Sequence, residues 1–133
     1  MPSSAYADFW ATLAQVRQQT LQRVASPTAI LVSLLEPLAT TVAERLTAGG
    51  LKVLRVGHPA AAGERIPVTM PQIVVIPADM RADDAESISE RCVAVGAEIL
   101  RVDASSDPAV LAETLAEAAS SAMVRSWRRG TGA

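Results

Sequence analysis

The sequence feature that most constrains the fold is a series of short apolar runs separated by segments with helix and turn signals. Each run is rich in Val, Ile and Leu and is too short for a buried helix of ordinary length. Helix starts follow most of these runs, so that strand and helix alternate along the chain. Repeated β-α-β units require a parallel sheet with right-handed crossovers and helices on both faces. The five predicted strands comprise residues 29–35, 51–56, 72–77, 98–102 and 122–124.

Local signals bound the helices that connect these strands. Pro37 suits the first position of the first connecting helix, and Gly49-Gly50 ends that helix. Residues 57–71 contain three prolines and two glycines, so we expect at most one or two helical turns there. The remaining signals are a predicted N-cap at Asp83 with Glu86 as its partner, a stop at Gly96, and a helix start at Asp107-Pro108.

A further helix is predicted before the first strand, over residues 5–24. Its apolar side chains recur at helical spacing, and Ser26-Pro27 ends it. Such an apolar face must be buried, either on the domain of the same chain or on a partner. We therefore predict an interaction surface at Phe9, Trp10, Leu13 and Val16.

The composition fits one domain and excludes several classes of function. The chain has 133 residues, half of them apolar, which is enough for one core and too few for two ordinary domains. A net charge of −2 argues against general nucleic-acid binding. The single cysteine, Cys92, excludes an internal disulfide and is expected to be buried, and His58 is not expected to be a ligand. Neither a membrane span nor a signal peptide is evident, so we expect a cytoplasmic protein.

The order of these signals resembles the receiver domain of two-component response regulators. The resemblance covers about residues 28–126 and depends on several short motifs in sequence order. These motifs are Glu36-Pro37-Leu38 after the first strand, Pro71-Gln72 before the third and Asp79-Met80 after it, Asp84-Ala85, Val102-Asp103-Ala104, and Arg125-Ser126 near the end. The resemblance implies a flavodoxin-like α/β fold with a five-stranded parallel sheet in the order 2-1-3-4-5.

The chain departs from the receiver pattern where that pattern carries its chemistry. A working receiver holds Mg²⁺ with an acidic pair and an acceptor aspartate, because this hard cation requires oxygen ligands. By the resemblance, Leu34 and Leu35 replace the acidic pair, and Pro77 replaces the acceptor. Asp103 replaces the hydroxyl that senses the phosphoryl group, and only the cationic position persists, as Arg125. The resemblance therefore implies a degenerate phosphorylation pocket with no catalytic residue, no metal and no cofactor.

Two structural expectations follow from this alignment. Asp103 and Arg125 would end adjacent strands, so we predict an ion pair between them, with two separately solvated charges as the alternative. Few residues follow Ser126, so the last helix would be missing or truncated and residues 127–133 would be a flexible tail. The predicted N-terminal helix, within residues 1–27, would then cover the bare sheet, in the same chain or by exchange in a homodimer.

Three functions are compatible with these observations. The first is a phosphorylation-independent pseudo-receiver that acts as a signalling or scaffold module and binds protein partners. The second is a degenerate P-loop, kinase-like nucleotide-binding domain, although residues 33–41 contain neither the glycine nor the lysine that would cradle phosphate. The third is an enzyme of another class, for which we find neither a catalytic triad nor a metal-ligand cluster. We expect the first function, with no enzymatic activity and no binding to nucleic acid or membrane.

Overall fold

The computed structural model describes residues 27–131, which form a parallel sheet with connecting helices. The strands of this part of the chain pair in the order β2-β1-β3-β4, and all three pairings are parallel. The order of the first four strands agrees with the predicted 2-1-3-4-5 order. In chain order the elements are β1 (Thr28–Val32), α1 (Leu38–Ala48), β2 (Lys52–Val56), α2 (Pro59–Thr69), β3 (Ile73–Pro77), α3 (Ala82–Val95), β4 (Glu98–Val102) and α4 (Pro108–Thr131).

The sheet is covered on both faces, which explains why its central strands are continuous apolar runs. Ala29 and Leu31 of β1 point to the face that packs against α1 and α4. Ile30 and Val32 point to the opposite face, which packs against α2 and α3. Cys92 lies in this second cluster and is buried, as predicted. Burial raises the pKa of its thiol to about 11.

The end of the chain differs from the prediction. Residues 122–124, predicted as a fifth strand, belong to α4, and the part of the chain that the structure describes has four strands. The buried positions Leu115, Ala118, Ala119 and Ala122 follow helical spacing, and this stripe continues the helix through Met123 and Val124. The last helix is therefore neither missing nor truncated. It extends to Thr131, through most of the predicted tail.

Helix α4 also fills the sheet surface that the sequence analysis left bare beside α1. The two helices approach closely, because a Cβ atom at Gly49 would lie 2.5 Å from the Cβ of Ala119. The predicted N-terminal helix, with Phe9, Trp10, Leu13 and Val16, lies outside the described residues.

The segment 57–71 forms a longer helix than predicted. Helix α2 has 11 residues, because Pro59 stands at its first position and Pro67 does not end it. Pro59 is the first helical residue, and the imidazole of His58 accepts a hydrogen bond from the Ala60 backbone N–H at 3.1 Å. Pro67 lies in the last turn, where it removes a single backbone donor.

The other helix boundaries agree with the prediction in part. Helix α3 begins at Ala82 after Arg81, so Asp83 is not its N-cap; Asp83 lies in the first turn, where its charge favours the helix dipole. The carboxylate of Asp107 accepts a hydrogen bond from the Ala109 backbone N–H at 2.9 Å, which confirms the predicted start of α4. Among the described helices, none is long and apolar enough to cross a membrane.

Candidate functional site

The candidate site is a crevice at the carboxyl ends of the strands. The strand order reverses between β1 and β3, and in open α/β sheets ligands bind beside such a reversal. The crevice has a volume of about 600 Å³. Three loops line it, one each after β1, β3 and β4, with the residues Ser33, Leu34, Leu35, Glu36, Pro37, Leu38, Pro77, Ala78, Asp79, Val102, Asp103 and Ala104.

The loop after β1 brings two leucines to the crevice. Ser33 has a positive φ of 56°, which turns the chain away from the strand direction, and its N–H donates to the Val56 carbonyl at 2.8 Å. Leu34 is half-buried against the core cluster of α1 and α4. Leu35 is 82% exposed. Both leucines thus line the crevice.

Glu36, which the sequence analysis did not single out, holds the start of α1. Its carboxylate accepts hydrogen bonds from the Thr40 hydroxyl at 2.6 Å and from the Thr40 backbone N–H at 3.3 Å. It also forms an ion pair with Arg55 of β2. The hydrogen bond from the Thr40 side chain, together with Arg55, lowers the pKa of Glu36. The four-residue spacing of Glu36 and Thr40 is a signal that could have identified this contact.

The loops after β3 and β4 supply the other polar groups of the crevice. Pro77 ends β3, and a tight turn follows in which the Met80 N–H donates to the Pro77 carbonyl at 3.1 Å. Asp79 is exposed in this turn. The carboxylate of Asp103 accepts hydrogen bonds from the Ser105 N–H at 3.0 Å and the Ser105 hydroxyl at 2.9 Å. These two bonds lower the pKa of Asp103.

Arg125 does not belong to this crevice, and the predicted ion pair with Asp103 is wrong. Arg125 lies in α4, about 26 Å along the helix axis from its first residue, whereas β4 is only about 16 Å long. Since α4 starts near the carboxyl end of β4 and runs back along the sheet, Arg125 reaches the opposite edge. There its guanidinium donates to the carbonyl of Gln72 at 3.1 Å and contacts Glu98 at 3.5 Å.

The crevice therefore combines apolar side chains with separated carboxylates. Leu34, Leu35, Pro77 and Asp103 come together at one sheet edge, while Arg125 is absent from it. Within residues 27–131, no three His, Cys, Asp or Glu side chains are close enough to hold a metal ion together. Pro77 offers no side-chain oxygen, so the position that ends β3 has no group to accept a phosphoryl moiety.

The parallel sheet, its reversal of strand order and the helices on both faces define an α/β domain with a flavodoxin-like arrangement over four strands. Among solved structures, the chain is similar to the signal receiver domain of a protein described as a Luxo repressor from Vibrio parahaemolyticus. The two are 16% identical, with a TM-score of 0.47 over 75% of this chain and 95% of that chain. No protein-family model matches the sequence, and a comparison with curated proteins found no match. The assignment of the fold therefore rests on the strand order and crossovers described above.

Proposed function

We propose that this chain is a phosphorylation-independent pseudo-receiver, which acts in signalling as a scaffold by binding other proteins. It is proposed to have no enzymatic activity of its own. The observation that carries this proposal is the set of side chains at the crevice. Leu34, Leu35, Pro77 and Asp103 line one crevice. The resemblance to receivers aligns the first three with the carboxylates of a phosphorylatable receiver, and Asp103 with its hydroxyl.

The remaining carboxylates of the crevice do not replace the lost ones in this proposal. Glu36 is engaged with Thr40 and Arg55, and Asp103 is engaged with Ser105. Asp79 is exposed on its turn, without a pair of neighbouring carboxylates to hold the Mg²⁺ that would neutralise an incoming phosphoryl group. A phosphoryl group brought to the crevice would meet negative charge, and no Lys or Arg is among the residues that line the crevice.

Nucleotide binding is less well supported than protein binding. A P-loop presents free backbone amides and glycine at the start of a helix, so that phosphate can approach the amides closely. In this chain the Glu36 carboxylate already accepts the Thr40 N–H at the start of α1, and residues 33–37 contain no glycine. A phosphate at this place would have to displace a carboxylate that Arg55 also holds.

The partner surface that we propose from the sequence comprises Phe9, Trp10, Leu13 and Val16, which lie outside the described residues. Its apolar side chains are proposed to contact a protein partner or a second copy of this chain. Light scattering of the intact chain, compared with Trp10→Ala, distinguishes these two cases. A homodimer would dissociate in the variant, whereas a monomer would remain unchanged.

The decisive experiment exposes the intact chain to the ligands of a working receiver. Melting temperature is measured with Mg²⁺ plus beryllofluoride and then with ATP, beside a phosphorylatable receiver as positive control. Mass spectrometry after incubation with acetyl phosphate follows covalent phosphorylation. We expect no thermal shift and no added mass, because the metal ligands and the acceptor are replaced. Stabilisation by beryllofluoride or an added phosphoryl group would overturn the proposal, and stabilisation by ATP would favour nucleotide binding.

A further inference from the structure

A groove runs along the carboxyl edge of the sheet and is longer than the crevice alone. A second cavity of about 270 Å³ adjoins the crevice and shares Pro37, Leu38 and Ala104 with it. It lies between α1 and α4, beside slightly more than the first two turns of each helix. Its other lining residues are Thr41, Arg45, Ser106, Pro108, Leu111, Ala112 and Leu115. We call the two cavities together the edge groove. Two adjoining cavities that share lining residues offer places for successive side chains of one peptide.

The side chains of the edge groove are mainly apolar. Leucine and proline side chains from the loops after β1, β3 and β4 line it. Leu35 lines the larger cavity and is 82% exposed. A ligand that covers Leu35 and enters the cavity would remove apolar surface from water at both places.

The charges of the edge groove are separated along its length. Glu36, Asp79 and Asp103 surround the larger cavity, and no Lys or Arg is among the described residues that line it. Arg55 offsets the charge of Glu36, while the hydrogen bonds of Asp103 come from the neutral Ser105. Arg45 lines the smaller cavity. The larger cavity therefore complements a cation and disfavours anions.

We infer that the edge groove docks an extended partner peptide in which an apolar side chain stands next to a Lys or Arg. The apolar side chain would cover Leu35 and enter the crevice, and the cationic side chain would lie against Asp79 and Asp103. This inference rests on the proposed function, because it assigns protein binding to the place where a receiver would carry its phosphoryl group. It adds a second surface to the one proposed for the N-terminal segment.

The test is a titration of the ¹⁵N-labelled intact chain with capped tripeptides, followed by the backbone amide signals. The probes are acetyl-Leu-Arg-Leu-amide, acetyl-Leu-Glu-Leu-amide and arginine amide alone. We expect saturable shifts at Leu34, Leu35, Asp79, Asp103 and Ala104 with the arginine tripeptide. The glutamate tripeptide should bind at least fivefold more weakly, because its carboxylate would face the carboxylates of the groove.

Matched variants separate groove binding from general attraction. Leu35→Ser and Asp103→Asn should each raise the dissociation constant of the arginine tripeptide. For Asp103→Asn the increase should be about two- to fivefold, as expected for the loss of one exposed ion pair. Val68→Ser serves as the control for Leu35, since Val68 is 80% exposed on α2 and does not line the groove. Glu117→Gln on α4 serves as the control for Asp103. Neither control should change the affinity.

Several outcomes would overturn the inference. They are the absence of saturable shifts at the groove, equal binding of both tripeptides, equal effects of the control variants, and binding of arginine amide as tight as that of the tripeptide. The last result would assign the groove to a small cation. The same labelled sample is then exposed to Mg²⁺ and beryllofluoride. Signal shifts caused by these ions would overturn the proposed function itself. If neither the ions nor the tripeptides cause shifts, only the peptide site is overturned.

Discussion

The close approach of α1 and α4 can be tested at a single glycine. Gly49 has a φ of −79°, which any residue adopts, so the backbone does not require glycine there. The requirement is one of space, because a Cβ atom at this position would lie 2.5 Å from the Cβ of Ala119. Both atoms are fixed to the backbone, so the contact can be relieved only if the two helices move apart.

The cost of Gly49→Ala follows from two opposing effects. Forcing an extra methyl group into a packed interface costs about 1–3 kcal/mol. The loss of glycine restricts the unfolded chain and returns about 0.4–1 kcal/mol. We therefore expect the free energy of unfolding to fall by about 1–2 kcal/mol. For a chain of this size, that loss corresponds to a melting temperature about 4–8 °C lower.

Urea and thermal unfolding followed by circular dichroism measure this loss, with two further variants. Gly57→Ala is the matched control, because a Cβ atom there would meet nothing within 4 Å. It should change the free energy of unfolding by less than about 0.5 kcal/mol or increase it slightly. Ala119→Gly removes the opposing methyl group. The double variant Gly49→Ala/Ala119→Gly should therefore lose at least about 1 kcal/mol less free energy of unfolding than the two single variants lose together.

Additive effects of Gly49→Ala and Ala119→Gly would refute this reasoning. So would a Gly49→Ala variant as stable as the parent chain. Either result would mean that residue 119 does not lie against α1, and the helical placement of residues 122–124 would then lose its support in favour of a fifth strand.

Three further predictions concern other contacts of the domain. Arg125→Met should lower the free energy of unfolding by about 1–3 kcal/mol in urea titrations, because Gln72, which is buried, loses its charged donor; an unchanged midpoint would refute this role. The pKa of Glu36 is lowered, so its stabilising effect is present above about pH 4.5 and is lost as the pH falls through its folded value. Glu36→Gln should accordingly flatten the acid side of the stability curve, and an unchanged curve would contradict this. Burial raises the pKa of Cys92 to about 11 and shields its thiol, so a disulfide reagent at pH 8 should label the native chain at least about tenfold more slowly than the unfolded chain. Comparable labelling rates would show that the thiol is accessible.

The sequence predicted the sheet well because its central strands are buried on both faces. A strand of this kind is a continuous apolar run, and β3 and β4 were located within one residue. Residues 122–124 were misassigned because a short apolar segment is compatible with either a strand or a helix. The deciding signal was the helical spacing of Leu115, Ala118, Ala119 and Ala122, which continues into that segment.

The sequence predicted the residues of the candidate site that lie at strand ends. It did not predict the contacts that depend on how distant segments pack together. Parallel strands bring their carboxyl ends to one edge, so the loops that carry Leu34, Pro77 and Asp103 had to meet. Arg125 was placed at this edge because the receiver pattern expects a strand before it, and the helical path of α4 moves it to the other edge. The bond of Glu36 to Arg55 joins two neighbouring strands and could not be found before their pairing was known.

Because the described sheet has four strands, β2 and β4 each have one neighbouring strand, and their outer backbone groups lack a partner within it. Such borders can recruit strands from other molecules and begin aggregation. Both border strands have only five residues, and each carries charge near both ends, through Lys52 and Arg55 on β2 and Glu98 and Arg101 on β4. Short length and charge oppose unintended strand pairing. The two border strands of the described sheet are therefore poorly suited to pairing with a strand of another molecule.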